Sequence, residues 1–107
     1  MQKRIYLLST LLSTSGFLFA TPALSAEADL AKAEKVYKRS CATCHGKQGE
    51  KPAMGESKII NQLKPEEIST ALSERKAGNI TGAGSPAKQR LSEQDIHNLS
   101  EYIQTLK

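Results

Sequence analysis

Two cysteines and a histidine lie within five residues of one another, at Cys41, Cys44 and His45, and the chain has no other cysteine in its 107 residues. Two thiols three positions apart cannot cross-link a disulfide-rich scaffold. A chain of this length forms at most about one domain, and its core is thin. The sequence therefore predicts that something besides side-chain packing stabilises the fold.

The segment Cys41-Ala42-Thr43-Cys44-His45 is the C-x-x-C-H signature of covalent haem attachment. Each thiol adds to one vinyl group of the macrocycle, so the two sulfurs need a fixed separation. The adjacent imidazole then binds the iron. The motif predicts one covalent haem c per chain, with Cys41 and Cys44 as its attachment points and His45 as the proximal iron ligand.

Two other chemistries use the same residue types. A thiol–disulfide motif also has the C-x-x-C spacing, but it requires a βαβ framework, and the sequence shows no strand pattern. A structural zinc site requires four ligands, and only Cys41, Cys44, His45 and His97 supply nitrogen or sulfur donors. The sequence has neither a Ser/His/Asp set nor a glycine-rich phosphate loop, so we predict that the protein is not an enzyme.

The first 26 residues have the pattern of a secretory signal peptide. The basic pair Lys3 and Arg4 precedes a mostly apolar run over residues 5–20, and small residues follow up to two predicted cleavage points, after Ala26 or after Ala28. An uncleaved membrane anchor is the alternative, but serines and threonines interrupt the run, which falls short of the roughly 20 apolar residues of a spanning helix. The pattern predicts export to the periplasm and no stable membrane insertion after cleavage.

Residues 27–107 are then the mature domain. Cleavage after Ala26 removes two of the 15 basic residues and none of the 11 acidic ones, which lowers the formal net charge from +4 to +2. The high isoelectric point is therefore weak evidence for a nucleic-acid partner. The sequence contains no basic run interleaved with aromatic residues, so we predict no nucleic-acid binding.

Hydrophobic periodicity predicts an all-α domain with three or four short helices and two glycine-bearing loops. The loops cover residues 45–57 and 78–90. Four segments have helical features: residues 29–40, with an apolar stripe; Ser57–Leu63; a helix that begins at Pro65 and stops at Gly78; and a last helix capped by Ser92, with Asp95 three positions on.

The haem motif with Gly46, a loop that contains Pro52, and a closing helix over residues 91–106 resemble the small class I bacterial cytochromes c. The resemblance spans essentially the whole mature chain and implies a class I fold in which the first and last helices cross, so that Ala33 and Tyr37 meet Leu99, Tyr102 or Ile103. It also implies that the Pro52 carbonyl holds the second nitrogen of His45, a contact that fixes the ring's orientation.

The sixth iron ligand is the point of departure from that family. The electron carriers of that family usually use as sixth ligand a methionine from the loop before the last helix. The corresponding residues 78–90 contain no methionine. Met1 leaves with the signal, so Met54 is the remaining methionine and a weak candidate. It is expected on the His45 side because it follows Pro52 by two residues. The other candidates are His97, Asn79 and Lys88.

These features predict a periplasmic one-electron carrier that cycles between Fe(II) and Fe(III) and exchanges electrons with redox partner proteins. The missing methionine leaves an alternative, a high-spin haem protein whose open distal site binds CO, NO or O₂. A small haem peroxidase would need a distal His or Arg constellation, which the sequence does not show.

Overall fold

A computed structural model describes residues 27–107 and, before them, Gly16 alone; the predicted signal peptide otherwise lies outside the described residues. Over 27–107 the chain forms five α-helices and two short 3-10 helices and no β-strand, which confirms the all-α prediction. The α-helices are α1 (Leu30–Ser40), α2 (Ala42–His45), α3 (Pro65–Lys76), α4 (Ser85–Gln89) and α5 (Glu93–Gln104), and the 3-10 helices are Ala53–Gly55 and Ile60–Gln62.

Helix α1 begins where its sequence supplies a cap. The Asp29 side chain accepts a hydrogen bond from the Lys32 N–H at 2.9 Å, which satisfies one of the unpaired donors of the first turn. The helical spacing predicts a buried stripe of Leu30, Ala33, Val36 and Tyr37. The last three are buried, whereas Leu30, at the first position of the helix, is exposed.

Helix α5 begins at a reciprocal capping box. The Ser92 hydroxyl accepts from the Asp95 N–H, and the Asp95 carboxylate accepts from the Ser92 N–H, both at 2.9 Å. The apolar face of α5, carried by Ile96, Leu99 and Ile103, is buried against α1 and α3. The predicted cap of the last helix is therefore confirmed. Of its predicted apolar face, Ile96, Leu99 and Ile103 are buried, Tyr102 is half-buried, and Leu106 is half-buried beyond the end of the helix.

The crossing of α1 and α5 forms the centre of the fold. Tyr37 is fully buried, and its ring centroid lies 5.6 Å from that of Tyr102 at an interplanar angle of 55°. Asn98 is also buried, and its side-chain oxygen accepts the Asp29 N–H at 2.9 Å, so the beginning of α1 is hydrogen-bonded to the middle of α5. Ile68 of α3 and Leu91 complete the same apolar cluster.

The segment 78–90 is not loop throughout, and here the prediction was wrong. Residues Ser85–Gln89 form α4, which packs against α3. The Ser85 hydroxyl accepts from the Gly82 N–H at 2.8 Å and closes the turn before the helix, and Pro86 occupies the first turn, where a missing N–H costs nothing. A helix of five residues shows no hydrophobic period in the sequence.

The helix predicted for Ser57–Leu63 is also shorter than expected. Only Ile60–Gln62 is helical, as a single 3-10 turn. Ser57 does not cap it, because its hydroxyl accepts from the Ala53 N–H at 2.7 Å and closes the preceding turn instead. The stop of α3 at Gly78 is confirmed, since that glycine adopts a left-handed φ of 83° just after the helix.

Among residues 27–107, no helix combines the length and the apolar character that crossing a membrane requires.

Candidate functional site

The cysteine–histidine motif folds as one helical turn at the end of α1. The Cys41 N–H donates to the Tyr37 carbonyl at 2.8 Å and closes α1, and the His45 N–H donates to the Cys41 carbonyl at 3.0 Å. The two thiols are free, that of Cys41 partly buried against the core and that of Cys44 exposed. Residues three apart lie on one side of such a turn, so both sulfurs are presented together.

A buried hydrogen bond fixes the chain just after this turn. The Tyr37 hydroxyl donates to the Gly46 carbonyl at 2.6 Å. Gly46 has a φ of 85°, a conformation that a residue with a β-carbon rarely adopts. Burial raises the pKa of Tyr37 to about 12, and the nearby Cys41 and Glu50 add to the rise. The hydroxyl is therefore a permanent donor at physiological pH.

The imidazole of His45 is half-buried, and its Nδ1 atom is buried without a hydrogen-bond partner among the described residues. Burial lowers the pKa of His45, and the positive charges of Lys88 and Arg75 lower it further, while the backbone of Lys51 acts in the opposite direction. The surroundings therefore favour the neutral ring, which is the form that binds a metal ion.

The structure does not show the hydrogen bond expected between Pro52 and His45. The Pro52 carbonyl accepts the Gly55 N–H at 2.9 Å, in the turn that forms the first 3-10 helix. Pro52 itself is exposed, and the backbone that influences the His45 ring is that of Lys51, one residue earlier. Pro52 could be recognised in the sequence. It begins a turn, however, in which its carbonyl accepts an N–H of the same segment instead of one from His45.

The Cys41 thiol is not poised for thiol–disulfide exchange. Burial raises the pKa of Cys41 to about 11, although the charge of Lys88 acts against the rise. Catalytic C-x-x-C cysteines instead have lowered thiol pKa values, because the thiolate is the nucleophile. Together with the lack of strands in residues 27–107, this argues against the redox alternative.

Three of the candidate sixth ligands lie in unsuitable positions. Met54 is 77% exposed and has a left-handed φ of 55°. His97 is exposed on α5 and borders a shallow depression whose lining includes Leu30 and Glu101 but no residue of the haem motif. The Asn79 amide is exposed and donates to the Glu74 carboxylate at 3.0 Å.

Lys88 differs from these three because it is half-buried, and with Arg75 it forms a basic pair that the sequence did not single out as a unit. Lys88 belongs to α4 and Arg75 to α3, and both are half-buried. Their charges act on His45, and the charge of Lys88 also acts on Cys41. The sequence signal for Arg75 was its helical spacing from Ile68 and Leu72. That spacing places the three residues on the face of α3 that packs against the core.

These residues fit a covalently attached haem. Two free thiols lie on one turn, a half-buried imidazole is held neutral beside them, and its orphaned nitrogen shows that the surroundings of the ring are incomplete without a further group. An all-α domain with this turn at the end of its first helix defines the class of monohaem c-type cytochromes.

Comparison with known proteins gives the same result. Residues 28–103 match the family model described as cytochrome C oxidase, cbb3-type, subunit III. The chain is 42% identical over 83 residues to a cytochrome c-553 of Helicobacter pylori (strain ATCC 700392 / 26695), an alignment that covers 77% of this chain and 86% of the relative. It is 37% identical over 91 residues to cytochrome c-554(547) of Halothiobacillus neapolitanus, covering 74% of this chain and 98% of the relative.

The chain therefore belongs to this cytochrome c family, as a small monohaem cytochrome with covalently bound haem c.

Proposed function

We propose that the protein is a periplasmic one-electron carrier whose haem is tethered by Cys41 and Cys44 and ligated by His45. The haem iron supplies the Fe(III)/Fe(II) couple. The observation that carries the proposal is the single helical turn of the motif, built onto the crossing of α1 and α5 with a neutral, half-buried His45.

The chain's contribution to electron transfer is to keep this site rigid. The Cys41 N–H is bonded to Tyr37, and the Tyr37 hydroxyl is bonded to Gly46, so one buried side chain fixes the backbone on both sides of the motif. An electron carrier works best when its site rearranges little between oxidation states. Close packing around Tyr37 favours this property.

The proposed periplasmic location rests on the predicted signal peptide in residues 1–26. Cleavage after Ala26 would make Glu27 the first residue, and cleavage after Ala28 would make Asp29 the first residue. Either product keeps Asp29, whose side chain caps α1. The partners would then be redox proteins of the periplasm. N-terminal sequencing of protein recovered from the periplasm tests both points, and an intact leader would contradict them.

The function is tested on the purified mature protein with its haem. Intact mass should show one haem per chain, and Cys41→Ala and Cys44→Ala should each leave only one thioether bond. The oxidised and reduced forms should both be low-spin, should interconvert with one electron, and should react slowly with CO. A chain that matures without haem, or one that does not cycle, would overturn the proposal.

A gas-binding haem protein is the second candidate function, and one observation favours it. Residues 78–90 contain no methionine, and Met54 exposes most of its surface to solvent, so within residues 27–107 no thioether is held in place for the iron. A high-spin ferrous form that binds CO at once would support this candidate against electron carriage.

A further inference from the structure

The direction of the His45 ring depends on the backbone on either side of it. The Nδ1 atom has no hydrogen-bond partner within residues 27–107, and the Pro52 carbonyl accepts the Gly55 N–H instead. Before the ring, the His45 N–H donates to the Cys41 carbonyl at 3.0 Å, and after it the His45 carbonyl accepts the Lys51 N–H at 2.9 Å. The segment that follows His45 therefore needs its own support.

Residues 46–51 form a loop that closes back onto His45 and is held from two sides. The Gly46 carbonyl accepts both the Tyr37 hydroxyl at 2.6 Å and the Gly49 N–H at 3.3 Å. On the other side, the Asn61 N–H donates to the Gly49 carbonyl at 3.2 Å. These bonds join the loop to the core and to the segment after it.

The carboxylate of Glu50 lies within this loop, against Gly46. A β-carbon placed on Gly46 would lie 2.5 Å from the Glu50 Cδ and Oε1 atoms, so the carboxylate occupies the space that a side chain at position 46 would fill. The other oxygen, Oε2, accepts the Gln48 N–H at 2.9 Å. Gly46 is buried and has a left-handed φ of 85°, which a glycine adopts without strain. One side chain therefore links the residue next to His45 to the far side of the loop.

We propose that Glu50 is a positioning residue of the haem site: its carboxylate, held against Gly46 and bonded to the Gln48 N–H, keeps the loop closed onto His45 and thereby fixes the orientation of the imidazole. The proposal rests on the proposed role of His45 as the iron ligand. It assigns to Glu50 the support that the sequence led us to expect from Pro52.

A competing role for Glu50 is electrostatic. Its side chain is exposed, and a negative charge near a haem favours the ferric state without holding any part of the chain. Within residues 27–107, however, the carboxylate makes no salt bridge, and its hydrogen-bond donor is a backbone N–H. This arrangement favours the role of an acceptor that closes the loop, and the experiment separates the two roles.

The experiment compares Glu50→Ala, Glu50→Gln and Glu56→Ala in the purified protein with haem attached. Glutamine keeps the length of the side chain and an oxygen acceptor but removes the charge. Glu56 is the matched control, because it is an exposed carboxylate of the next turn and makes no salt bridge within residues 27–107. The first readout is amide hydrogen exchange at Gln48 and Lys51. The second is the proton NMR pattern of the haem methyl groups in the ferric protein, which follows the orientation of the axial imidazole.

In Glu50→Ala, the Gln48 and Lys51 amides should exchange more than about tenfold faster than in the unaltered protein, and the haem methyl pattern should change. Glu50→Gln should restore both readouts, and Glu56→Ala should alter neither. If Glu50→Gln behaves like Glu50→Ala, the charge matters rather than the acceptor, and the proposal is overturned. An unchanged haem methyl pattern in Glu50→Ala overturns it as well, whether or not the amides exchange faster.

A second measurement keeps the test decisive if Glu50→Ala does not retain haem. In the unaltered protein, the Gln48 N–H should exchange more than about tenfold more slowly than the Lys47 N–H, which makes no hydrogen bond within residues 27–107. Equal exchange at these two neighbours would show that the carboxylate does not close the loop and would overturn the proposal. An unaltered protein without haem, or one in which His45 does not bind the iron, would instead overturn the proposed function itself, so the two failures are distinguishable.

Discussion

The Tyr37 hydroxyl lies 2.6 Å from the Gly46 carbonyl oxygen, and this buried hydrogen bond joins the first helix to the residue that follows the haem motif. Tyr37 is fully buried, so neither group can turn to solvent if its partner is removed. The bond therefore couples the stability of the core to the geometry of the motif.

Replacing Tyr37 with phenylalanine should lower the free energy of unfolding by about 1–3 kcal/mol, because the Gly46 carbonyl would remain buried without a donor. Chemical denaturation of the protein with haem attached measures the change. Tyr102→Phe is the control, because it keeps the 5.6 Å ring pair and its hydroxyl makes no hydrogen bond to the described residues. Equal losses in the two variants would contradict the role of the Tyr37 bond.

Asn98 should be among the polar residues of α5 most sensitive to substitution. Its oxygen accepts from the Asp29 N–H at 2.9 Å and from the Gln94 side chain at 2.7 Å, inside a site that is only 1% exposed. Asn98→Ala leaves the Asp29 donor unpaired and should cost about 1–3 kcal/mol of unfolding free energy. Gln94→Ala removes only the exposed partner and should cost less than about 0.5 kcal/mol. Similar costs for the two would show that the link to α1 is unimportant.

The capping box of α5 should make stability depend on acid. The Ser92 N–H chiefly lowers the pKa of Asp95, burial opposes it, and the Ser92 hydroxyl, Lys32 and Arg39 lower it further. Because the folded-state pKa is depressed, the carboxylate stabilises the fold above its unfolded value of about 3.9, and that benefit is lost as the pH falls through the folded-state value.

Asp95→Asn should therefore lower the midpoint of urea denaturation at neutral pH, and the difference from the unaltered protein should close as the pH falls below about 4. Denaturation at a series of pH values measures this. Lys32→Ala is the control, since it removes only the ion pair at 3.8 Å and should leave most of the acid dependence. If the difference in midpoint between the two proteins stayed constant down to pH 2, Asp95 would not be the cause of the acid dependence.

The sequence was sufficient to predict helices that are long and have a periodic apolar pattern. It was insufficient to predict contacts between residues that are distant along the chain. Helices α1 and α5 show apolar stripes and capping residues locally, so their residues could be predicted. Helix α4 has five residues and no stripe, and its packing on α3 is a contact that the sequence does not show. Pro52 lies in the predicted loop, but the donor that its carbonyl accepts, the Gly55 N–H, depends on the turn geometry.

Met54→Leu should leave the haem spectra unchanged in both oxidation states. Met54 is 77% exposed, and the 3-10 turn that contains it packs against α2, which carries His45. A thioether in that position is not held toward the second axial position. The absorption spectrum of the ferric variant checks this. Loss of a sulfur–iron charge-transfer band on substitution would show that Met54 is a ligand and that its predicted placement is wrong.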